Sequence, residues 1–331
     1  MKHGPELAIF AALLSFLPVS GCSEFASSAQ AQNPAPAPLE FVGQWGVKGD
    51  GPGQLDDPQG IAVDSIGNVY IADAGSGFVD KFASNGTPLL SFQENGLKEP
   101  DSIAVDSDGA IYVSDPARGM VVVVFPTSEH DYHRVLRLRT RASSENSLSV
   151  AVDVEGVIYV LDENAGKIFR FSPRLRLERS WVPSAVRSAD MKRAASMGPL
   201  RLGGDGNLYI ADLDQNRLLR FDTGGRFLGQ IPSNTAQADP PATASTPAAN
   251  SPFNPRISAQ FAVSRNYVFV MDENGSTLHI WNLNGSPKMD VDLSPKLGQT
   301  HRPPALAVSD HRDLFVLDSP DCRVLRYRVN F

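Results

Sequence analysis

Val69-Tyr70-Ile71-Ala72-Asp73 is short, apolar and rich in strand formers, and an acid stops it. The chain writes the phrase five more times. It reads Ile111-Tyr112-Val113-Ser114-Asp115, Ile158-Tyr159-Val160-Leu161-Asp162, Leu208-Tyr209-Ile210-Ala211-Asp212, Val268-Phe269-Val270-Met271-Asp272 and Leu314-Phe315-Val316-Leu317-Asp318. In all six an aromatic stands three residues before an aspartate. The flanks keep register. Ile61, Ile103, Val150, Leu200 and Leu306 each precede the aromatic by nine residues, and Phe261 by eight. Phe82, Phe171, Phe221, Trp281 and Tyr327 each follow the aspartate by nine, while the second copy has Val124 there and Phe125 one residue late. The aromatics lie 42, 47, 50, 60 and 46 residues apart, so only the joins between copies vary.

Each copy reads as strand, tight turn, strand, loop, strand, with a fainter fourth strand. The first strand is of the Ile61-Ala62-Val63 type, and polar turns such as Asp64-Ser65-Ile66-Gly67-Asn68 follow it. Glycine there supplies the positive φ that a two-stranded connection needs. Arg217-Leu218-Leu219-Arg220-Phe221 alternates as a third strand should, and Pro88-Leu89-Leu90-Ser91-Phe92 is a fourth. Four-stranded antiparallel units repeated six times at a period in the forties predict an all-β, six-bladed β-propeller over residues 39–331. Period-two alternation excludes a helical repeat. The last unit ends at Phe331 after three strands, while Leu39 to Gly46 forms a strand ahead of the first. That strand is expected to join the last unit and close the ring, removing two open edges.

Hydrophobic content of 42% over 331 residues is ample for a core, and net charge is −7. The charge is uneven: residues 40–133 hold 4 basic against 15 acidic side chains, and residues 134–201 hold 13 against 7. One sector of the ring is expected to be acidic and the next basic, as solvated outer strands or as a docking surface. No basic stripe interleaves with exposed aromatics, so nucleic acid is not an expected partner.

Residues 1–21 read as an export signal. Lys2 is basic, and Leu7 to Val19 is apolar but too short for a bilayer span of about 20 residues. Val19-Ser20-Gly21-Cys22 resembles the lipobox of bacterial lipoproteins. The resemblance implies cleavage before Cys22, acylation of that cysteine and membrane attachment through the lipid. Acyl chains contribute about 0.8 kcal/mol per buried CH₂. Ser23 rather than aspartate follows, which in such proteins favours the outer membrane, with periplasmic and surface faces both open. Residues 22–38, rich in Ala, Ser, Gln and Pro, are expected to be a flexible tether. With Cys22 lipidated, Cys322 has no partner and no disulfide is expected.

Gly46-Val47-Lys48-Gly49-Asp50-Gly51-Pro52-Gly53-Gln54-Leu55, followed by Pro58-Gln59-Gly60-Ile61-Ala62-Val63-Asp64, resembles the NHL repeat, as do residues 67–73 and 212–221. The resemblance covers about residues 41–331. Copies three, five and six lack the glycine-rich lead-in, and copy five has Ser264 in place of the first-strand aspartate. The resemblance implies six blades and binding of protein, peptide or nucleic acid on one face. A subset of such proteins are lyases, and related six-bladed folds are metal-dependent lactonases.

Two insertions fall between units. Residues 182–199 have room for a short helix over 185–195, and residues 231–256 are of low complexity. Both connect an outer strand to the next inner strand. In a propeller such connections share a face with the loops after the repeated aspartates, so that face is expected to be the elaborated one.

Asp73, Asp115, Asp162, Asp212, Asp272 and Asp318 occur in every unit. A residue that every unit needs serves the unit, so these are expected to accept hydrogen bonds from loop backbone. Metal chemistry on this architecture needs ligands converging on the axis at the starts of the inner strands. Gln59, Asp101, Ser102, Ser147 and Gln260 lie there and are the candidate axial or binding-face residues. No histidine joins them, and a zinc site wants three or four His, Cys or carboxylate ligands. His130-Asp131-Tyr132-His133 falls on the rim. No nucleophile elbow or phosphate loop is present. No metal, cofactor or catalytic residue is therefore assigned. The leading expectation is a lipid-anchored envelope protein holding a protein, peptide or glycan on one propeller face. The alternative is a metal-dependent hydrolase or lyase with an axial site near Asp101, Ser102, Gln59 and Gln260. A structural part of an envelope complex is a third possibility.

Overall fold

The computed structural model describes residues 37–93, 97–125, 132–136, 147–183, 197–232, 257–298 and 302–331. The expected leader, Cys22, the tether up to Pro36, the helix expected over 185–195, His130, Asp131 and residues 233–256 lie outside them. Residues from Ala37 to Phe331 form one compact unit.

Twenty-four strands make six four-stranded antiparallel sheets, the six blades of a propeller. Blade I is β2 (Pro58–Val63), β3 (Val69–Asp73), β4 (Val79–Phe82) and β5 (Pro88–Phe92). Blade II is β6 (Ile103–Val105), β7 (Ile111–Asp115), β8 (Met120–Phe125) and β9 (Tyr132–Leu136). Blade III is β10 (Leu148–Val152), β11 (Ile158–Asp162), β12 (Lys167–Phe171) and β13 (Leu177–Trp181). Blade IV is β14 (Met197–Leu202), β15 (Leu208–Asp212), β16 (Arg217–Phe221) and β17 (Phe227–Ile231). Blade V is β18 (Ile257–Val263), β19 (Tyr267–Asp272), β20 (Thr277–Asn282) and β21 (Pro287–Asp292). Blade VI is β22 (Ala305–Val308), β23 (Asp313–Asp318), β24 (Arg323–Val329) and, from the other end of the chain, β1 (Leu39–Trp45).

The repeated phrase is the second strand of every blade, and it is buried because both of its faces meet other blades. Tyr70, Ile71, Tyr159, Val160, Tyr209 and Ile210 have no exposed surface. Fully burying one such side chain contributes about 1.5–3 kcal/mol. The core is accordingly not one mass but six, each between two consecutive blades. Val69, Ile71 and Phe82 of blade I pack on Phe315, Leu317 and Val324 of blade VI. Tyr70 and Ala72, on the opposite face of the same strand, pack on Ile111, Val113 and Val122 of blade II. Innermost strands of consecutive blades are neighbours all round, β22 against β2 included.

Ring closure follows the strand arithmetic. β1 pairs antiparallel with β24, from Leu39 opposite Val329 to Trp45 opposite Val324, with a bulge between Phe41 and Gly43. Trp45 then lies over Phe82 of blade I, ring centroids 4.6 Å apart. A Cβ on Gly86, in the β4–β5 turn, would come within 2.3 Å of that indole, so only glycine seats it. The same device recurs where Gly225 meets Trp181.

Departures from the repeat are absorbed locally. Phe261 precedes its aromatic by eight because the β18–β19 turn is one residue tighter, closed by Ser264 N–H donating to Tyr267 O at 2.9 Å. Val124 pairs with Ile111 as Phe82 pairs with Val69, so blade II keeps register and seats a valine in the aromatic site. Cys322 is buried and free. Among the described residues no helix is long and apolar enough to cross a membrane.

Candidate functional site: the propeller hub

Two sets of repeated aspartates hold the blades together. Those that end the second strand bind the loop beyond it or the segment leading into the innermost strand. Asp73 accepts from the backbone N–H of Asp56 at 2.7 Å, Asp57 at 2.9 Å and Gly75 at 3.1 Å. Asp115 accepts from Lys98 N–H at 2.7 Å, Asp162 from Ala165 N–H at 2.9 Å, and Asp272 from Ser276 N–H at 2.8 Å. Asp212 and Asp318 also take an arginine Nε, from Arg217 at 2.9 Å and Arg323 at 2.8 Å.

The second set sits in the turn after the innermost strand. Asp64, Asp106 and Asp153 accept from turn N–H groups and from the hydroxyls of Tyr70, Tyr112 and Tyr159 at 2.9–3.1 Å. Asp205 does the same for Tyr209 at 2.8 Å, from a position two residues later in its turn. Blades V and VI have phenylalanine where the others have tyrosine, and there Ser264 and Ser309 replace the aspartate. The two changes travel together because a buried phenol needs an acceptor and a phenyl ring does not. Burial and the neighbouring carboxylate push the Tyr70, Tyr112 and Tyr209 hydroxyls well above their ordinary range.

The hub does not repeat. Register aligns Ala62 with Tyr70, Ala104 with Tyr112, Ala151 with Tyr159, Ala262 with Phe269 and Ala307 with Phe315. In blade IV the residue opposite Tyr209 is Arg201. Five blades thus present a methyl at this level, and one presents a guanidinium. Arg201 lines a recess of about 700 Å³ that opens among the β2–β3-type turns. Its Nη1 donates to the neighbouring Leu200 O at 3.2 Å and reaches Ser102 Oγ of blade II at 3.5 Å. The side chain therefore crosses in front of blade III. It makes no ion pair within 4.0 Å among the described residues.

Facing it from blade III is Glu163, the residue after the repeated Asp162. Its N–H donates to Ser147 O at 3.1 Å, which tucks it against the start of β10. Its carboxyl is hydrogen-bonded to the hydroxyls of Ser147 and Ser149. Desolvation, with Asp101 as a like charge, outweighs those bonds and Arg201, and the carboxyl is pushed up to about 7. Burial likewise raises Asp101, against the pull of Arg201 and Arg302, and lowers Arg201 against Glu163 and Asp101. All three side chains keep partial surface accessibility even though desolvation dominates each, and of the three Arg201 lines the recess.

Of the residues singled out by sequence, Asp101, Ser102 and Ser147 come together on this side of the hub. Ser102 Oγ also stitches blades, accepting from Val150 N–H at 3.2 Å, as Ser149 Oγ accepts from Leu200 N–H at 2.8 Å. Gln59 is half-buried nearby and accepts from Arg302, whose charge acts on Asp101. Gln260 sits on blade V with a buried, unpartnered Oε1. Sequence reasoning missed Arg201, Glu163 and Arg302. For Arg201 a signal existed, one arginine in a column of five alanines. Among the described residues no group of three or more His, Cys, Asp or Glu converges as a metal cage.

No family model and no curated protein matches the chain. Solved structures do. A catalytically inactive histidine-to-alanine variant of virginiamycin B lyase from Staphylococcus aureus, solved with quinupristin, matches with TM-score 0.55 at 12% identity, over 82% of this chain and 80% of that one. A streptogramin B lyase matches with TM-score 0.56 at 11% identity, over 82% and 93%. The β-propeller domain of Cps50 (Swd1) from Myceliophteria thermophila matches with TM-score 0.54 at 14% identity, over 86% and 85%. At these identities the likeness is one of fold.

Proposed function

We propose that this chain is an NHL-like, lipid-anchored envelope protein that binds a protein, peptide or glycan at its hub and on the face around it. The observation that supports binding most is the non-repeating hub. Arg201 stands where the other five blades have alanine, and Glu163 and Asp101 act on it from blades III and II. Charged groups drawn into a hub cost desolvation, and a fold that needs none keeps them for another purpose. The innermost strands begin on the face that bears the loops after Asp73 and its equivalents, and loops of that kind are where binding residues commonly sit. Attachment rests on Cys22 and its lipobox-like context. Capture from native membranes with the full chain as bait tests the reading. A specific partner supports it, and none above a control propeller sinks it. Replacing Cys22→Ser should move the protein from the membrane to the soluble fraction.

Glu163 favours a second reading. A carboxyl held near neutrality beside a guanidinium is suited to proton transfer, so a hydrolase or lyase acting at the hub is the alternative. Stoichiometric metal in the purified protein, with turnover abolished by Glu163→Gln, would favour it.

A further inference from the structure

We infer that the hub binds a carboxylate group, carried at the end of a chain, on the guanidinium of Arg201. The inference rests on the binding reading and gives it a ligand class.

Geometry points to the carboxylate. Arg201 presents five N–H donors, and the protein engages only Nη1. Nε and Nη2 have no protein partner among the described residues. A planar fork with free donors is the side chain that takes a carboxylate two bonds at a time. The hydroxyl of Ser102, which accepts from Val150 N–H and from Arg201, still has its own proton to donate toward the same space. Ala262 and Ala307 of blades V and VI line the same recess as Arg201, and their small side chains leave room in it.

Charge sets the proton's role. The charged groups acting on Glu163 are Asp101 from blade II and Arg201 from blade IV, and its own blade offers the Ser147 and Ser149 hydroxyls. Arg302 acts on Asp101 and is itself paired with Asp57 at 3.4 Å. With Glu163 protonated, two arginines face two carboxylates and the charges balance. With Glu163 ionised the group carries one net negative charge, which repels an incoming carboxylate. Glu163 changes state near neutrality, so binding and proton uptake are linked there.

Isothermal titration of the full chain with trialanine, trialanine amide and glucuronate tests this between about pH 6 and about pH 8, a range that straddles the Glu163 transition. Trialanine should bind, its amide should not, and affinity should fall by up to about tenfold per pH unit above the transition. Arg201→Ala, which restores the residue of the other five blades, should lose at least about tenfold in affinity. Glu163→Gln, a neutral mimic, should keep binding and lose its pH dependence, which a merely structural glutamate would not do. Glucuronate binding in place of trialanine assigns the carboxylate to an acidic sugar. The inference is overturned if the amide binds as well as the acid, if neither acid binds at the lower pH, if affinity rises with pH, or if Arg201→Ala binds unchanged. A native partner captured equally by wild type and Arg201→Ala would sink the hub site and leave the binding reading standing. Trialanine binding without a membrane partner would do the reverse.

Discussion

Blades I and IV carry nearly the same strand phrase, Val69 to Asp73 and Leu208 to Asp212, yet at one hub position they have Ala62 and Arg201. The shared residues build interblade cores, cap loops and anchor turns. The residue that differs has no such task, and it lies where all six blades meet. Repetition in this molecule marks what the fold requires, and departure from it marks what the fold is used for.

The comparison breaks most visibly at the ring's seam. Deleting residues 39–46 strips β1 from blade VI and removes Trp45 from the blade VI–I core. We expect loss of cooperative unfolding, or a fall in Tm of roughly 10 °C or more by calorimetry. An unchanged melting curve would show that the seam does not hold the ring. A repeated aspartate should come next. Asp73→Ala leaves the N–H groups of Asp56, Asp57 and Gly75 without their acceptor and should cost about 2–3 kcal/mol in denaturant unfolding. The tyrosine–aspartate pairs should be worth less. Tyr70→Phe should cost about 1 kcal/mol, and adding Asp64→Ser, which copies blades V and VI, should recover part of it. Arg201→Ala should be the mildest, within about 1 kcal/mol of wild type, because it installs the consensus residue. A large loss there would make Arg201 a structural residue after all.

Glu163 adds a pH signature to the same contrast. Its folded carboxyl sits above the ordinary range, so the native chain holds a proton that the unfolded chain releases. Its contribution to stability is present below the ordinary carboxyl range and is lost as pH rises towards about 7. Glu163→Gln should flatten that slope in denaturant unfolding followed against pH. The repeated Asp162 beside it is engaged by the loop backbone and belongs to the structural set.

The fold was legible because six copies of one phrase carry it. Strand type, blade number and the closing role of Leu39 to Trp45 all follow from offsets that nearly every copy keeps. The hub was legible only in part. Asp101, Ser102 and Ser147 stand at strand starts, where an axial reading looks first. Arg201 stands one step inside, at a position that no repeated residue marks. Glu163 follows the repeated aspartate, where the six copies have Ala74, Pro116, Glu163, Leu213, Glu273 and Ser319. No pattern constrains that position, so only the folded chain brings it to Ser147, Ser149 and Arg201.

The claim that the hub is a working site stands most directly on the protonation of one carboxyl. Infrared difference spectroscopy of wild type against Glu163→Gln reads it as a carboxylic acid band followed through a pH titration. The account predicts that the band disappears near pH 7, that Arg201→Ala moves the transition higher by removing a favourable positive charge, and that trialanine does the same by adding a negative one. A band lost in the ordinary carboxyl range, and indifferent to both, would contradict it.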